Sequence, residues 1–133
     1  MPLNISIIFP VYNASLFLKE AIDSVMHQKP QSWELLAVND ASTDNSLEIL
    51  QAYQKRDKRI KPIDLKENKD QGHARNLAIR KAKGDYIVFL DAYDYFPEDA
   101  FAILDSYIDK KPRTEVFVWG FYLINHYIQK SLN

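Results

Sequence analysis

The chain switches between two hydrophobic periods along nearly its whole length. Ile5 to Val11 (ISIIFPV) is an almost unbroken apolar run of strand length. Leu35 to Val38 is a second such run and Tyr86 to Leu90 (YIVFL) another. Ile60 to Leu65 is weaker, and Pro62 inside it removes a ladder donor, which predicts an edge strand. Between these runs the apolar residues recur at helical spacing. Phe17, Ala21 and Val25 stack with Leu18, Ile22 and Met26, and Pro30 closes that region. Leu47, Leu50 and Tyr53 mark a second helix, and Ala74, Leu77, Ala78 and Ala82 a third, stopped near Gly84. Pro97 suits the first turn of a fourth, reaching about Ile108. Asn13 or Ser15 can cap the first helix, and Ser42, Thr43 or Asp44 the second. Glu115 to Ile124 reads as a fifth strand.

Strands that are apolar on both faces need cover on both, and helices between them make crossover connections. The fold class predicted is therefore α/β, a doubly wound, mostly parallel sheet with flanking helices. Such sheets bind ligands beyond the carboxyl ends of their strands. Tyr12 and Asn13 follow the first strand, and Asn39, Asp40, Ser42, Thr43 and Asp44 the second. Asn68, Gly72, His73, Arg75 and Asn76 follow the third, Asp91 and Asp94 the fourth. Polar side chains thus collect where the crevice belongs.

Composition narrows the chemistry. A chain of 133 residues without cysteine has no disulfide framework and no thiol nucleophile. Its three glycines, Gly72, Gly84 and Gly120, are too scattered for a glycine-rich phosphate cradle. No apolar run approaches the ~20 residues of a membrane span, and the N-terminus lacks the pattern of a signal peptide. The net charge of -1 hides a division. Lys55 to Lys83 holds eleven Lys/Arg against four Asp/Glu, and Asp85 to Asp109 holds seven acids and no base. The basic block reads either as a solvated face or as a steering field for phosphate.

Two clusters carry candidate chemistry. Asn39-Asp40-Ala41-Ser42-Thr43-Asp44 can serve as a helix cap, or Asp40 can accept a hydrogen bond from the ring N–H of a base. Asp91-Ala92-Tyr93-Asp94 can cap a turn, or its carboxylates can hold a hard divalent cation whose shell is completed by water and phosphate. Arg75 stands at a helix start, where it is either a surface cation or a partner for an anionic group.

In order and spacing, the motifs Ser6–Asn13, Val38–Ser46, Asn68–Asn76 and Gly84–Asp94 resemble those of the family 2 glycosyltransferases, over about residues 4 to 125. The resemblance implies the GT-A fold of nucleotide-diphospho-sugar transferases. It also implies transfer of a sugar from such a donor, a UDP-sugar first, to an acceptor hydroxyl with inversion, in cell-surface polysaccharide or glycan synthesis. Pro10, Tyr12 and Asn13 would border the nucleotide. Asp40 would hold the base, with Asp44 shaping the same pocket, Arg75 near the base or diphosphate, and Asp91 at the ribose. Asp91 and Asp94 would meet Mg²⁺ or Mn²⁺. The acceptor would be a glycan or a lipid-linked chain, and the setting cytoplasmic, peripheral at the inner face of the membrane. No nucleic-acid partner is expected.

Two departures stand out. Tyr93 occupies the third position of the acidic motif, usually Asp, so either Asp94 substitutes for it or metal affinity is weakened. Family members also continue well past this length. Residues 1–133 are therefore expected to be a single nucleotide-sugar-binding domain that stops before the acceptor-binding region, with the catalytic base beyond Asn133. The apolar stretch Trp119 to Ile128 could then support a homodimer. The alternative is a non-catalytic nucleotide-binding or interaction module on the same fold.

Overall fold

The computed structural model describes residues 4–29, 32–110, 119–124 and 127–132, the last two segments by backbone alone. Its elements are β1 (Ile5–Val11), α1 (Ser15–Met26), β2 (Trp33–Asp40), α2 (Ser46–Arg56), β3 (Ile60–Leu65), α3 (Gln71–Lys81), β4 (Tyr86–Phe89), α4 (Ala100–Lys110), β5 (Trp119–Ile124) and β6 (Tyr127–Leu132). Four strands form one sheet in the order β3-β2-β1-β4, parallel throughout. The order steps outward from β1 in both directions, as in a doubly wound sheet. Pro62 lies on the edge strand β3, where its missing N–H costs least.

Strand alternation divides the core into two layers. Ile5, Ile7, Phe9 and Val11 of β1 face α1, α2 and α4, where they pack with Leu18, Ile22, Leu50, Phe101 and Leu104. Ile8 faces the other way, joining Leu36, Val38, Ala74 and Ala78 beneath α3. The small alanines let α3 lie close to the sheet. Burial on both faces explains why these strands read as continuous apolar runs rather than alternating ones.

Two expectations are revised. The fifth strand does not join the parallel sheet. β5 pairs antiparallel with β6, which the sequence did not predict, in a separate two-stranded sheet. Residues 115–118 of the expected strand, and the side chains of Trp119 to Ile128 expected to favour a dimer, lie outside the described residues. Phe17 is not part of the buried stripe of α1. It is exposed and packs edge-on against Tyr93. Among the described residues no helix is long and apolar enough to cross a membrane.

The end of the sheet opposite the strands' carboxyl termini is tied by a buried polar knot. Glu34 accepts hydrogen bonds from Ser6 Oγ (2.6 Å), the Lys83 amide (2.7 Å) and Lys61 Nζ (2.7 Å). The Gly84 amide donates to Ser6 Oγ at 2.8 Å. Burial raises the Glu34 pKa, but the bonds from Lys61, Ser6 and Lys83 outweigh it and hold the carboxyl below its ordinary value of 4.5. A carboxyl lowered on folding stabilises the protein above its unfolded pKa, and that contribution fades as the pH falls through the folded value. Acid titration of stability should therefore show a loss beginning near pH ~4.5 that a Glu34→Gln variant shares less. Urea midpoints measured across pH 3 to 7 check this.

Candidate functional site

The carboxyl ends of β1, β2 and β4, with the loop into α3, enclose a cleft of about 500 Å³ lined by Pro10, Val11, Tyr12, Asp40, Asn68, Asp70, Gln71, Asp91, Ala92 and Tyr93. Three non-glycine residues beside it hold positive φ: Asn13 (47°), Ala41 (57°) and Asp70 (95°). Asn tolerates the left-handed region, but Asp70, at φ 95° and ψ 167°, occupies a region open almost only to glycine. Strain of this kind persists only where surrounding bonds enforce it, and it concentrates at functional sites.

Asp40 is the enforcing group. It ends β2 nearly buried, at 3% exposure. One carboxylate oxygen accepts from the Lys69 amide at 2.7 Å and the other from the Asp70 amide at 3.0 Å. Its backbone carbonyl accepts from Asn68 Nδ2 at 3.2 Å. A carboxylate offers about four acceptor directions, so each oxygen keeps one more for a ligand in the cleft. Asp70 then caps α3 by accepting from the His73 amide at 2.9 Å, with the His73 side chain itself exposed. The chain from Asp40 through Asp70 to α3 fixes where Gln71 and Arg75 point.

Both of those side chains point to Asp91, just past β4. Gln71 Nε2 and Arg75 donate to the same oxygen, Oδ1, at 3.2 and 3.3 Å. The Asp91 carbonyl accepts from the Asp94 amide at 3.0 Å, which closes the turn and presents Tyr93 to the cleft. The Tyr93 ring lies 5.0 Å from Phe17, edge to face, and its hydroxyl is 3.5 Å from the Tyr12 carbonyl. Tyr12, at 47% exposure, leaves ring surface available at the rim.

Pro10, Tyr12, Asp40 and Asp91 thus meet at the cleft wall, and Arg75 reaches it through Asp91. Asn13, Asp44 and Asp94 are not among the lining residues. Asn13 Oδ1 accepts from the amides of Thr43 (2.8 Å) and Asp44 (3.3 Å), which ties the β1 loop to the β2 loop. Asp44 accepts from Ser15 N at 3.1 Å and Ser46 N at 2.9 Å, capping the first turns of α1 and α2 at once. Burial raises its pKa, but these bonds overcome that and hold it low. Asn39, next to Asp40, donates its side-chain amide to Asp64 at 3.0 Å, a partner that an aspartate in its place would repel. The sequence reading missed Asp70 and Gln71 as cleft residues. The signal present was an Asp-Gln pair at the start of the third helix, where Asp is a usual cap.

The residues do not form a self-sufficient cation site. Among the described residues no group of three or more His, Cys, Asp or Glu side chains could hold a metal ion. Only Asp91 among the acidic-motif carboxylates lines the cleft, and one of its oxygens is already shared by two donors.

The chain is similar to known proteins in both sequence and fold. An uncharacterized glycosyltransferase of Haemophilus influenzae is 46% identical over 99 residues, 74% of this chain and 39% of its own. The structure of TarS 1-349 from S. aureus in complex with UDP-GlcNAc superposes with a TM-score of 0.75 at 30% identity, covering 81% of this chain and 32% of that one. The mannosyltransferase PcManGT from Pyrobaculum calidifontis, in complex with GDP-Man and Mn2+, gives 0.66 at 25% identity, covering 73% and 29%. The chain spans about two-fifths of the length of the first curated relatives it matches. The profile of Glycosyl transferase family 2 matches residues 6–126, and the chain belongs to that family.

Proposed function

We propose that this chain is the donor-binding part of an inverting glycosyltransferase that takes a nucleoside-diphospho-sugar. The observation that carries the reading is the convergence of Tyr12, Asp40 and Asp91, from three different strand ends, on one cleft. The base stacks on Tyr12 beside Pro10, and its ring N–H donates to a remaining lone pair of Asp40. The ribose and diphosphate extend toward Asp91. Asn13 and Asp44 contribute by locking the two loops that carry the wall. The anomeric carbon is then offered to an acceptor hydroxyl: the new C–O bond forms on one face as the bond to the diphosphate breaks on the other, and the hydroxyl's proton passes to a general base. UDP-GlcNAc and GDP-Man in the neighbouring structures support a nucleotide-sugar donor. With a glycan or lipid-linked acceptor, the reaction belongs in the cytoplasm at the inner membrane face.

Calorimetric titration with UDP and GDP tests this reading, and binding of neither would sink it. Tyr12→Ala should weaken the bound nucleotide by roughly tenfold or more, the usual worth of one base on one ring. Tyr93 in the acidic motif favours one other reading, a binding module without turnover. Hydrolysis of UDP-GlcNAc above background by this chain would argue against that module.

A further inference from the structure

The acidic turn sets this cleft apart from a cation-dependent donor site, which the Mn2+ complex of the mannosyltransferase neighbour would otherwise suggest. We propose that the nucleoside diphosphate binds here without requiring a divalent cation, with Arg75 and Gln71 supplying the diphosphate's donors in its place. The inference rests on the donor-site reading above and concerns how that site handles charge.

Tyr93 stands on the cleft wall where a second carboxylate would meet the metal, and a phenol is a poor ligand for a hard cation. Its ring meets Phe17 edge to face, and its hydroxyl lies 3.5 Å from the Tyr12 carbonyl, with the residue as a whole exposed. Asp94 does not replace it. Its amide closes the turn on the Asp91 carbonyl, and its side chain is not part of the cleft wall. Asp91 remains, with Oδ1 engaged by Gln71 and Arg75. A dication on the other oxygen would find no group of three acidic or imidazole side chains among the described residues and would sit near a guanidinium, where like charges repel. The other ligands would come from nucleotide and water, which the cation keeps in solution as well. The protein therefore has little with which to prefer a metal–nucleotide complex to the free nucleotide.

The diphosphate still needs positive charge and donors. Arg75 is partly exposed, and Gln71 lines the cleft. Both now converge on a single carboxylate oxygen, and an incoming phosphate oxygen would draw these donors from Asp91 to itself. A guanidinium fork suits phosphate oxygens without any metal bridge.

The test is titration of UDP and GDP into the 133-residue chain, with excess EDTA and then with millimolar Mn²⁺. The affinities are expected to agree within about threefold, and a larger gain from Mn²⁺ overturns the proposal. Tyr93→Asp, with folding checked by circular dichroism, should acquire a Mn²⁺ response of about tenfold or more. A variant as indifferent to Mn²⁺ as the parent would overturn the assignment to Tyr93. In EDTA, Arg75→Gln should lose the preference for UDP over uridine, and an unchanged preference removes Arg75 from the proposal. Failure of both nucleotides under both conditions defeats the donor-site reading itself. Cation-dependent binding defeats only the present inference.

Discussion

Replacing Asp40 with alanine is expected to weaken UDP binding by about 100-fold or more and to cost the fold about 3 kcal/mol. The carboxylate makes two short bonds to the successive amides of Lys69 and Asp70, and hydrogen bonds to a charged group are worth roughly 1.5–3 kcal/mol each. The loop faces the cleft, so water can satisfy the released amides in part, which keeps the stability loss below the full sum. Binding suffers twice. The base loses its acceptor, and Asp70 loses the bond that holds it at φ 95°. Once Asp70 relaxes, α3 loses its cap and the aim of Gln71 and Arg75 toward Asp91. Asp40→Asn separates the two effects. It retains one oxygen for one loop amide but sets an NH₂ group against the other, so stability should fall between parent and alanine variant. Calorimetry of UDP binding and urea unfolding of the three proteins measure both quantities. UDP affinity within threefold of the parent in Asp40→Ala would place the base elsewhere.

The case of Asp40 also marks what could be read from the chain in advance. A carboxylate at the end of a run as apolar as LLAVN is costly without partners, so the residue announces a role. Which partners it takes is set 29 and 30 residues further on, in a loop whose conformation no local pattern specifies. Asp44 and Asn13 behave in the same way. Their type and position mark them as cap or pocket groups, but their bonds cross between the β1 and β2 loops, and only the assembled sheet brings those loops together. β1 and β2 were legible because two-sided burial erases alternation, β4 as an apolar run although Ile87 and Phe89 are exposed, and the edge strand from Pro62. β6 was not, because Tyr-Ile-Gln-Lys-Ser-Leu follows neither a continuous apolar run nor a strict alternation. The acidic turn was legible as a departure, since Tyr93 interrupts a pattern of carboxylates. That its ring would rest on Phe17 was not, because Phe17 fits the helical stripe of α1 and only the packing shows it outside that stripe.

Gly84→Ala should be the most damaging single-methyl change in the sheet, costing about 3 kcal/mol, at the upper end of the usual range for overpacking. The sequence suggests a glycine that ends a helix in the left-handed region, but α3 ends at Lys81 with Ala82 extended, and Gly84 has no positive φ. Its glycine is required by proximity. A Cβ there would lie 2.6 Å from Ser6 N, 2.7 Å from Ser6 Oγ and 2.8 Å from the Asn4 carbonyl oxygen. Two of these three atoms are backbone, so no side-chain rotation relieves the clash. The third belongs to the hydroxyl that accepts from the Gly84 amide and donates to Glu34. A shift large enough to admit the methyl would pull Ser6 from Glu34 and leave a buried carboxylate short of a donor. The strand pairing of β4 with β1 starts at Tyr86 and Ile5, directly beside this contact, so the displacement would pass into the register that sets Asp91. Ser6→Ala in the Gly84→Ala background distinguishes steric from polar loss. If the hydroxyl is the main obstacle, the double variant should recover about half of the lost stability, whereas a backbone clash leaves it as unstable as the single variant or worse. Thermal and urea unfolding of the parent, both single variants and the double variant complete the cycle, and a Gly84→Ala protein within 0.5 kcal/mol of the parent would refute the close approach.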